Sequence, residues 1–377
     1  MAENRICTRC VMDTSYPGIT FDEQGHCDLC SAYLAKKELI GYRPGESEAE
    51  LDALVKKIKQ DMKDKPYDVI LGLSGGVDSA YMAYLAHQMG LRIRAVHVDT
   101  GWNMDLAVEN IRRVCDKLHL ELHTITIDWP TMRELQRAYM LSGVANLDVP
   151  QDHVFMAAVM NFAKDEGSPY VLNGNNLATE GASAPYSGQQ TYMDFWHMRS
   201  IYRKHGRGMS LKKYPHLSFW EARWNFPGIT KVDILNHVPY SKQMAMEVLE
   251  REFGWQYYGG KHLESRLTRY LQSVYQPRKC GYDKRRYHLS CLIMNGEMTR
   301  EEALEELSRP AYPVEEQQAD ETYILEKLEI DPAEWKRILE APVTPNENYF
   351  SQEKLIRLAR KLLGKKNVQA IQRQKSL

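Results

Sequence analysis

The stretch DVILGLSGGVDSAYMAYLAHQMG, residues 68–90, most constrains the fold, because an apolar strand, a glycine-rich turn and an apolar helix follow one another in it. A turn from strand to helix directs free backbone N–H groups and the positive end of the helix dipole at one point. Gly75 and Gly76 let an anion approach the backbone closely, and Ser74 and Ser79 add hydroxyl donors. The turn therefore predicts a phosphate-binding site.

Asp78 lies in this turn, which lacks the lysine of an ordinary phosphate-binding loop. A carboxylate repels a bare phosphate, so Asp78 fits the site only if a divalent cation lies between the two groups. Mg²⁺ binds proteins through one or two carboxylates together with phosphate oxygens. We therefore expect a Mg²⁺–nucleotide complex on residues 74–79, with Asp78 as a metal ligand and catalytic residue.

Strand-like and helical segments alternate on both sides of the turn. Strands are expected at 68–73, 91–98, 120–127, 169–174 and within 228–240, and helices over 46–64, from about 79, over 104–119 and over 149–167. This order predicts an α/β fold with a doubly wound parallel sheet. Residues 174–192 are small and polar and are expected to form a loop near the site. The chain beyond Ser241 is expected to be mostly helical.

Three domains are expected: a zinc-binding segment at 1–45, a nucleotide-binding domain at 46–245 and a helical region at 246–377. In the last of these, Thr299 and Glu302 have the spacing of a helix capping box. The basic tail, 361–377, is expected to end the chain as a helix.

The string SGGVDS in this context resembles the PP-loop of the ATP pyrophosphatases, a branch of the adenine-nucleotide α-hydrolase (HUP) fold. The resemblance implies that ATP is cleaved between its α and β phosphates and that AMP passes to a substrate oxygen. Ligands of such sheets bind at the carboxyl ends of the strands. The nucleotide-binding residues implied in this way are Ser74, Gly75, Gly76, Asp78, Ser79, Asp99, Asn173 and Gly174.

Four cysteines lie in two Cys-x-x-Cys pairs near the N-terminus: Cys7, Cys10, Cys27 and Cys30. This spacing predicts a structural zinc site of four thiolates, with an iron–sulfur cluster or unligated thiols as the alternatives. Because four sulfurs close the coordination shell, such a metal stabilises the fold and takes no part in catalysis. Cys115 lies in a helical pattern and is expected to be a buried apolar residue.

Composition narrows the classes of function. Lys and Arg number 49 against 50 Asp and Glu, for a net charge of −1, which disfavours a dedicated nucleic-acid binder. The sequence has no apolar run near the roughly 18 residues that a bilayer requires and no apolar signal core at its start. We therefore expect a cytoplasmic protein with no membrane or nucleic-acid partner.

The run from Tyr257 to Leu304 combines cations with interleaved tyrosines, which indicates binding of a phosphorylated or nucleotide-linked substrate. A solvated helical face is the alternative for most of these residues. The predicted substrate residues are Lys261, His262, Asp283, Arg285, Arg286 and His288, and the predicted catalytic residues of this run are Lys261, Arg285 and Arg286.

This run contains GGKHLES and GYDKRRYHLSCLIMNGEMTREEAL, which together with the cysteine pairs resemble the N-acetyl sugar amidotransferases of bacterial surface-polysaccharide synthesis. The resemblance implies that the acetamido group of a nucleotide-linked amino sugar is adenylated and that ammonia then replaces AMP. The product would be an acetamidino sugar of lipopolysaccharide or O-antigen synthesis. Separate glutaminase and synthase-like subunits, resembling the histidine-pathway pair, are implied as the ammonia source, and ATP, Mg²⁺ and structural Zn²⁺ as the cofactors.

Three other functions remain open from the sequence. A PP-loop tRNA thiolase shares the turn and often has Cys-x-x-Cys pairs, but it usually carries catalytic cysteines or iron–sulfur ligands near the ATP site. A synthetase related to those that make NAD or GMP, and a zinc-knuckle scaffold on a degenerate nucleotide fold, are the others. Asp148 and Asp152 are candidates for a general base.

Overall fold

A computed structural model describes residues 5–181, 193–218, 221, 226, 228–260, 263–352 and 354–355 of the chain. Its strands are β1 (Val69–Gly72), β2 (Ile93–Asp99), β3 (Glu121–Thr126), β4 (Tyr170–Leu172) and β5 (Thr230–Val232). They form a sheet of order β3-β2-β1-β4-β5 in which every neighbouring pair is parallel. Leu71 pairs with Ala95 of β2 on one side and with Leu172 of β4 on the other.

Helices flank the sheet and continue beyond it. Those before β5 are α1 (Asp28–Ile40), α2 (Glu46–Asp61), α3 (Val77–Gln88), α4 (Asp105–Leu118), α5 (Trp129–Ser142), α6 (Val149–Asp165), α7 (Leu177–Glu180) and α8 (Phe195–His205). Those after β5 are α9 (Lys242–Phe253), α10 (Arg266–Tyr270), α11 (Gln276–Cys280), α12 (Arg285–Asn295), α13 (Arg300–Ser308), α14 (Val314–Lys327) and α15 (Pro332–Glu340). Shorter turns are the 3-10 segments Leu211–Lys213, Ile234–Asn236 and Asn346–Asn348 and the π-helical segment Leu271–Tyr275.

Strands β1 and β4 are buried on both faces, which explains why they read as continuous apolar runs, whereas the edge strand β3 is mostly exposed. In β1, Ile70 joins one core with α5, α6 and α8, whereas Val69 and Leu71 join a second core with α2, α3, α4 and α9. Adjacent residues of a strand point to opposite faces, so helices cover both sides of the sheet. The predicted doubly wound parallel fold is confirmed, as are the four-cysteine cluster at the N-terminus and the helical C-terminal region.

Helices α1, α5 and α8 were absent from the sequence-based expectations. Nine residues of α5 are buried, and the polar residues Glu134 and Gln136 are among them. The helix therefore has neither a distinct polar face nor a distinct apolar stripe. Its start is nevertheless regular: Asp128 caps the first turn and Pro130 stands in that turn. The predicted capping box of Thr299 and Glu302 is confirmed at the start of α13.

The segment 174–192, expected to be a loop, contains the short helix α7 in its first part, because the Asn176 side chain accepts a hydrogen bond from the Thr179 N–H. Residues 182–192 lie outside the described residues, and so does the predicted tail helix at 361–377. Within the described parts of the chain, no helix combines the length and the apolar character needed to cross a membrane.

Candidate active site

The turn predicted to bind phosphate follows β1, and α3 begins directly after it, so the first N–H groups of α3 point toward the turn. Hydroxyl groups brace the turn from inside. Ser74 Oγ lies 3.2 Å from Ser79 Oγ and accepts from the Gly76 N–H at 3.2 Å, and Ser79 Oγ also accepts from the Ser74 N–H at 3.3 Å. The predicted cradle is therefore built as a closed hydrogen-bonded turn at the carboxyl edge of the sheet.

Two glycines in the turn are required by its close neighbours. Gly75 has φ +85°, and a Cβ there would lie 2.4 Å from the Ala107 carbonyl oxygen of α4. A Cβ at Gly76 would lie 3.0 Å from the Tyr258 hydroxyl and 3.3 Å from Glu264 Oε1. Because residue 76 has no side chain, Tyr258 and Glu264 can lie close to the backbone of the turn.

Asp78 lies at the centre of a group of polar side chains from distant parts of the chain. The Tyr240 hydroxyl donates to Asp78 Oδ1, and burial followed by the Asp78 carboxylate raises the pKa of Tyr240 well above its ordinary value. Burial, then Glu264 and then Asp78, raise the pKa of Tyr258 in the same way. Both phenols therefore stay protonated and act as hydrogen-bond donors toward carboxylates.

Glu264 reaches the turn because residues 264–266 run antiparallel to residues 102–104 in the loop after β2. Met104 N donates to the Glu264 carbonyl at 2.9 Å, and Arg266 N donates to the Trp102 carbonyl at 2.8 Å. Glu264 Oε2 is buried without a hydrogen-bond partner among the described residues, which is costly for a carboxylate and marks a place for a donor or a cation.

Tyr240, Tyr258 and Glu264 were not among the residues predicted from the sequence. Glu264 is the next-to-last residue of the string GGKHLES, and Tyr258 immediately precedes that string. The position of Glu264 in that string, with Tyr258 beside it, was the one available signal, because neither residue type indicates a site by itself, and nothing in the sequence singled out Tyr240. The predicted residues Lys261 and His262 of the same string lie outside the described residues.

The predicted nucleotide-binding residues at the other strand ends also face the carboxyl edge. Asp99 Oδ1 accepts from the Gly101 N–H at 2.8 Å and from Asn103 Nδ2 at 3.0 Å, which holds the loop after β2. Asn173 Nδ2 donates to Asp233 Oδ1 at 2.7 Å. A Cβ on Gly174 would lie 3.8 Å from the Asp78 Cβ. The fold thus brings Gly174 beside the cradle, and the nucleotide-binding roles of all these residues stay predictions.

The two candidate bases lie at the start of α6, at the same edge. Asp148 is buried and accepts from Gln151 Nε2 at 2.5 Å, and Gln151 Oε1 accepts from Thr100 Oγ1 at 2.9 Å. Asp152 is in contact with solvent, but protein atoms crowd around its carboxyl group. Desolvation, followed by the nearby Asp148 carboxylate, raises the pKa of Asp152 to about 8. A carboxyl group that titrates near neutral pH is suited to proton transfer.

The predicted C-terminal substrate residues are engaged in several different contacts. Arg285 forms an ion pair with Asp283 at 2.7 Å and also donates to the Glu306 and Arg309 carbonyls at 3.2 and 2.9 Å. It therefore ties the start of α12 to the end of α13. His288 lines a cavity beside this brace.

Arg286, on the next position of α12, contacts the N-terminal segment instead. It pairs with the buried Asp13 at 3.1 Å and donates to the Val11 carbonyl at 2.7 Å. These contacts give Arg285 and Arg286 structural roles, and the catalytic and substrate roles expected for them stay predictions.

The four-cysteine cluster is formed as the sequence predicted. The Sγ atoms of Cys7, Cys10, Cys27 and Cys30 are buried and lie within 4.8 Å of one another. Cys7 and Cys30 sulfurs are 3.8 Å apart, and Cys10 and Cys27 sulfurs are 3.6 Å apart. A tetrahedral zinc with Zn–S bonds of about 2.3 Å separates its sulfurs by about 3.8 Å. The cluster therefore fits one small ion, whereas an iron–sulfur cluster of several irons needs wider sulfur spacing.

The cluster is anchored to the C-terminal helices. Arg300 Nε donates to the carbonyls of Cys7 and Cys10 at 3.2 and 3.1 Å. Tyr282 and Tyr287 pack in the same apolar cluster as the cysteines. A metal bound at the cysteines would thus support α12 and α13, the helices that line the cavity at His288.

Two family models match separate parts of the chain. Residues 50–175 match the NAD synthase family, and residues 264–363 match the family described as LPS biosynthesis protein WbpG-like, C-terminal domain. The chain therefore joins an NAD synthase-like domain, of the PP-loop kind, to a C-terminal domain of a kind found in lipopolysaccharide biosynthesis proteins. The family resemblance expected from the sequence is confirmed.

Individual relatives and solved structures also match parts of the chain. The tRNA-specific 2-thiouridylases MnmA of Citrobacter koseri and Klebsiella pneumoniae are each 31% identical over 129 residues, 30% of this chain and 35% of theirs. The chain thus spans about a third of the length of these curated relatives. Among solved structures, an NH3-dependent NAD synthetase from Campylobacter jejuni is similar at 21% identity (37% of this chain, 62% of that one, TM-score 0.28). An NMN synthetase from Francisella tularensis is similar at 16% identity (56% and 94%, TM-score 0.29).

Proposed function

We propose that the protein is an AMP-forming amidotransferase of lipopolysaccharide or O-antigen synthesis. It uses ATP to adenylate the acetamido oxygen of a nucleotide-linked N-acetyl amino sugar. Ammonia then forms a C–N bond at the activated carbon, the C–O bond to AMP breaks, and an acetamidino group remains. AMP and pyrophosphate are the other products, and a separate glutaminase with its synthase-like partner supplies the ammonia.

The observation that carries this proposal is the position of Glu264, within the WbpG-like match, against Gly76 of the phosphate turn. The part of the chain that resembles lipopolysaccharide enzymes thus reaches the part that resembles ATP-using enzymes. An acceptor held by the C-terminal region would meet the α phosphate of a nucleotide on the turn, and such positioning accounts for much of the rate of transfer reactions.

The residues at the turn have complementary tasks. The N–H groups of the turn and the first turn of α3 hold the pyrophosphate portion. Asp78 and Glu264 would hold Mg²⁺, which would offset the charge of the phosphate oxygens. The Tyr240 hydroxyl orients Asp78. Asp152, with its pKa raised to about 8, is suited to take a proton from the attacking nitrogen.

The test is product analysis with ATP labelled at the α phosphate, ammonium chloride and a panel of nucleotide-linked N-acetyl amino sugars. We expect AMP and pyrophosphate in equal amounts, together with a sugar product that has lost one oxygen and gained one nitrogen. Asp78→Asn should lower the rate by about 10³-fold, whereas Asp116→Asn, an exposed control on α4, should not. ADP as the product, or AMP without dependence on any sugar, would overturn the proposal.

A tRNA thiolase is the second candidate, and the match over 129 residues to the MnmA enzymes favours it. Thiolation requires a reactive thiolate near the nucleotide. Cys115, on α4, is 6% exposed, and burial raises the pKa of its thiol to about 11. Sulfur incorporation into tRNA that is lost in Cys115→Ser would favour the thiolase, and no incorporation would favour the amidotransferase.

A further inference from the structure

A cavity of about 600 Å³ lies in the C-terminal region, between the loop that follows α9 and helices α12 and α13. This volume is typical of a small-molecule site. Its walls combine apolar side chains, such as those of Leu263, Leu289 and Leu292, with polar ones, such as those of Gln272 and Ser273. The cavity is separate from the phosphate turn but shares the loop 257–260 with it.

One wall of the cavity is a π-helical turn. Helix α10, the segment Leu271–Tyr275 and α11 form one continuous rod, and the Gln276 N–H bonds to the Leu271 carbonyl, five residues back. Pro277 contributes to this distortion because it has no N–H to donate. Such turns are rare in proteins and often occur at functional sites. Here the turn places Gln272 and Ser273 side by side on the cavity wall.

The side chains of Gln272 and Ser273 have no hydrogen-bond partner within the described ranges, although both are half-buried. Other polar groups of the wall are already engaged: Lys242 Nζ donates to the Tyr257 hydroxyl at 2.9 Å, and Arg285 pairs with Asp283. An amide and a hydroxyl at the edge of a cavity gain most from a ligand that both donates and accepts hydrogen bonds.

The chemistry of the wall fits a sugar ring better than a free polyphosphate. Four cationic side chains, those of Lys242, Lys284, Arg285 and Arg309, are nearly balanced by Glu302, Glu305 and Glu306. The apolar side chains can cover the C–H face of a ring, and Tyr257 offers an aromatic face. We propose that this cavity binds the amino-sugar ring of the acceptor, with Gln272 and Ser273 hydrogen-bonding to its hydroxyl groups. This inference rests on the proposed function for the identity of the acceptor.

Two chain connections bring the cavity close to the phosphate turn. Tyr257 lines the cavity, while the next residue, Tyr258, contacts the turn at Gly76. Lys242 lines the cavity, while Tyr240, two residues earlier, bonds to Asp78. A ring bound in the cavity is therefore placed so that a substituent on it extends toward the adenylyl group.

The test measures sugar binding apart from turnover. Saturation-transfer NMR with UDP-N-acetylglucosamine, N-acetylglucosamine and UDP as probes should show transfer to the sugar-ring protons of both sugars. The double substitution Gln272→Ala with Ser273→Ala should weaken that binding by about 10-fold or more, as expected for two lost hydrogen bonds, with ATP affinity unchanged. Gln272→Glu keeps the size of the side chain and checks that loss does not reflect misfolding. Gln243→Ala, an exposed glutamine on α9, is the matched control.

The outcomes separate this inference from the proposed function. Sugar binding that is unchanged in the double variant, or absent in the wild-type protein, overturns the cavity assignment, even if AMP is formed from ATP. Sugar binding that depends on Gln272 and Ser273 supports the assignment, even if no AMP is formed, in which case the proposed function fails by itself.

Discussion

The four-cysteine segment and the sheet that carries the phosphate turn are held together by different forces. Strand β1 is stabilised by burial, since Val69, Ile70 and Leu71 are fully buried between two layers of helices. The N-terminal segment has a much smaller apolar cluster, and four sulfurs lie at its centre. A short segment of this kind needs a metal where a larger domain needs only its core. The four-cysteine segment is joined by Arg286 and Arg300 to the C-terminal helices α12 and α13.

The largest effect is expected from Cys10→Ser. Structural zinc contributes about 10 kcal/mol to the folding of small metal domains, so this variant should lose its metal and unfold residues 5–40. Elemental analysis and hydrogen exchange measure both effects. Cys115→Ser, the control in the sheet core, should keep the metal and cost about 1–3 kcal/mol. Unchanged metal content in Cys10→Ser would show that the N-terminal segment does not differ from the sheet by depending on a metal at its cysteines.

Arg286→Ala tests the junction between the four-cysteine segment and the C-terminal helix α12. Removing the arginine leaves the Asp13 carboxylate, which is 2% exposed, without its ion pair, and such a loss costs about 3–5 kcal/mol. We expect the metal to remain bound while amide exchange in residues 5–40 becomes faster. Arg278→Ala, which removes a more exposed pair with Glu321, should cost less than about 1 kcal/mol. Equal losses of stability in Arg286→Ala and Arg278→Ala would contradict the role of Arg286 in holding the N-terminal segment.

Gly75→Ala tests the sheet side of the comparison. A Cβ there meets the Ala107 carbonyl oxygen at 2.4 Å, in a residue with φ +85°. We expect a loss of about 2–3 kcal/mol in the free energy of unfolding, measured with urea, with the metal still bound. Gly254→Ala has a similar positive φ but open space around its Cβ and should cost about 1 kcal/mol. A loss of metal in Gly75→Ala would show that the two regions are not independent.

The smallest effect is expected from Asp152→Asn. Because the pKa of Asp152 is raised to about 8, the folded protein binds this proton at pH values where the unfolded chain has released it. Wild-type stability should therefore fall as the pH rises from about 4 through 8, and the Asn variant should lack this fall. Solvent contact reduces the effect to a few degrees in Tm, compared at pH 5 and pH 8.5. Asp165→Asn at the exposed end of α6 is the control, and parallel pH profiles would refute the raised pKa.

Local patterns were sufficient to predict the parallel fold, the strand–turn–helix unit around residues 74–79 and the cysteine cluster, whereas phosphate binding at that turn stays a prediction. Each of these depends on residues close together in the chain: the alternation of strand and helix, the string SGGVDS, and two Cys-x-x-Cys pairs. The α6 carboxylates Asp148 and Asp152 were recognised as candidates, but their environment was not. The helix α5 was missed because its buried polar side chains conceal its apolar face.

The surroundings of the turn were decided only by tertiary structure. Arg286 contacts a residue 275 positions away, and Tyr240 bonds to Asp78 across 162 positions. Sequence spacing carries no information about contacts of this length, because they depend on how the C-terminal helices pack against the sheet and the cysteine segment. The same packing brings Glu264 to the turn and builds the cavity around Gln272 and Ser273. The sequence by itself determined which chemical groups are present and in which local structures they lie, and the packing of distant elements decided which of them meet.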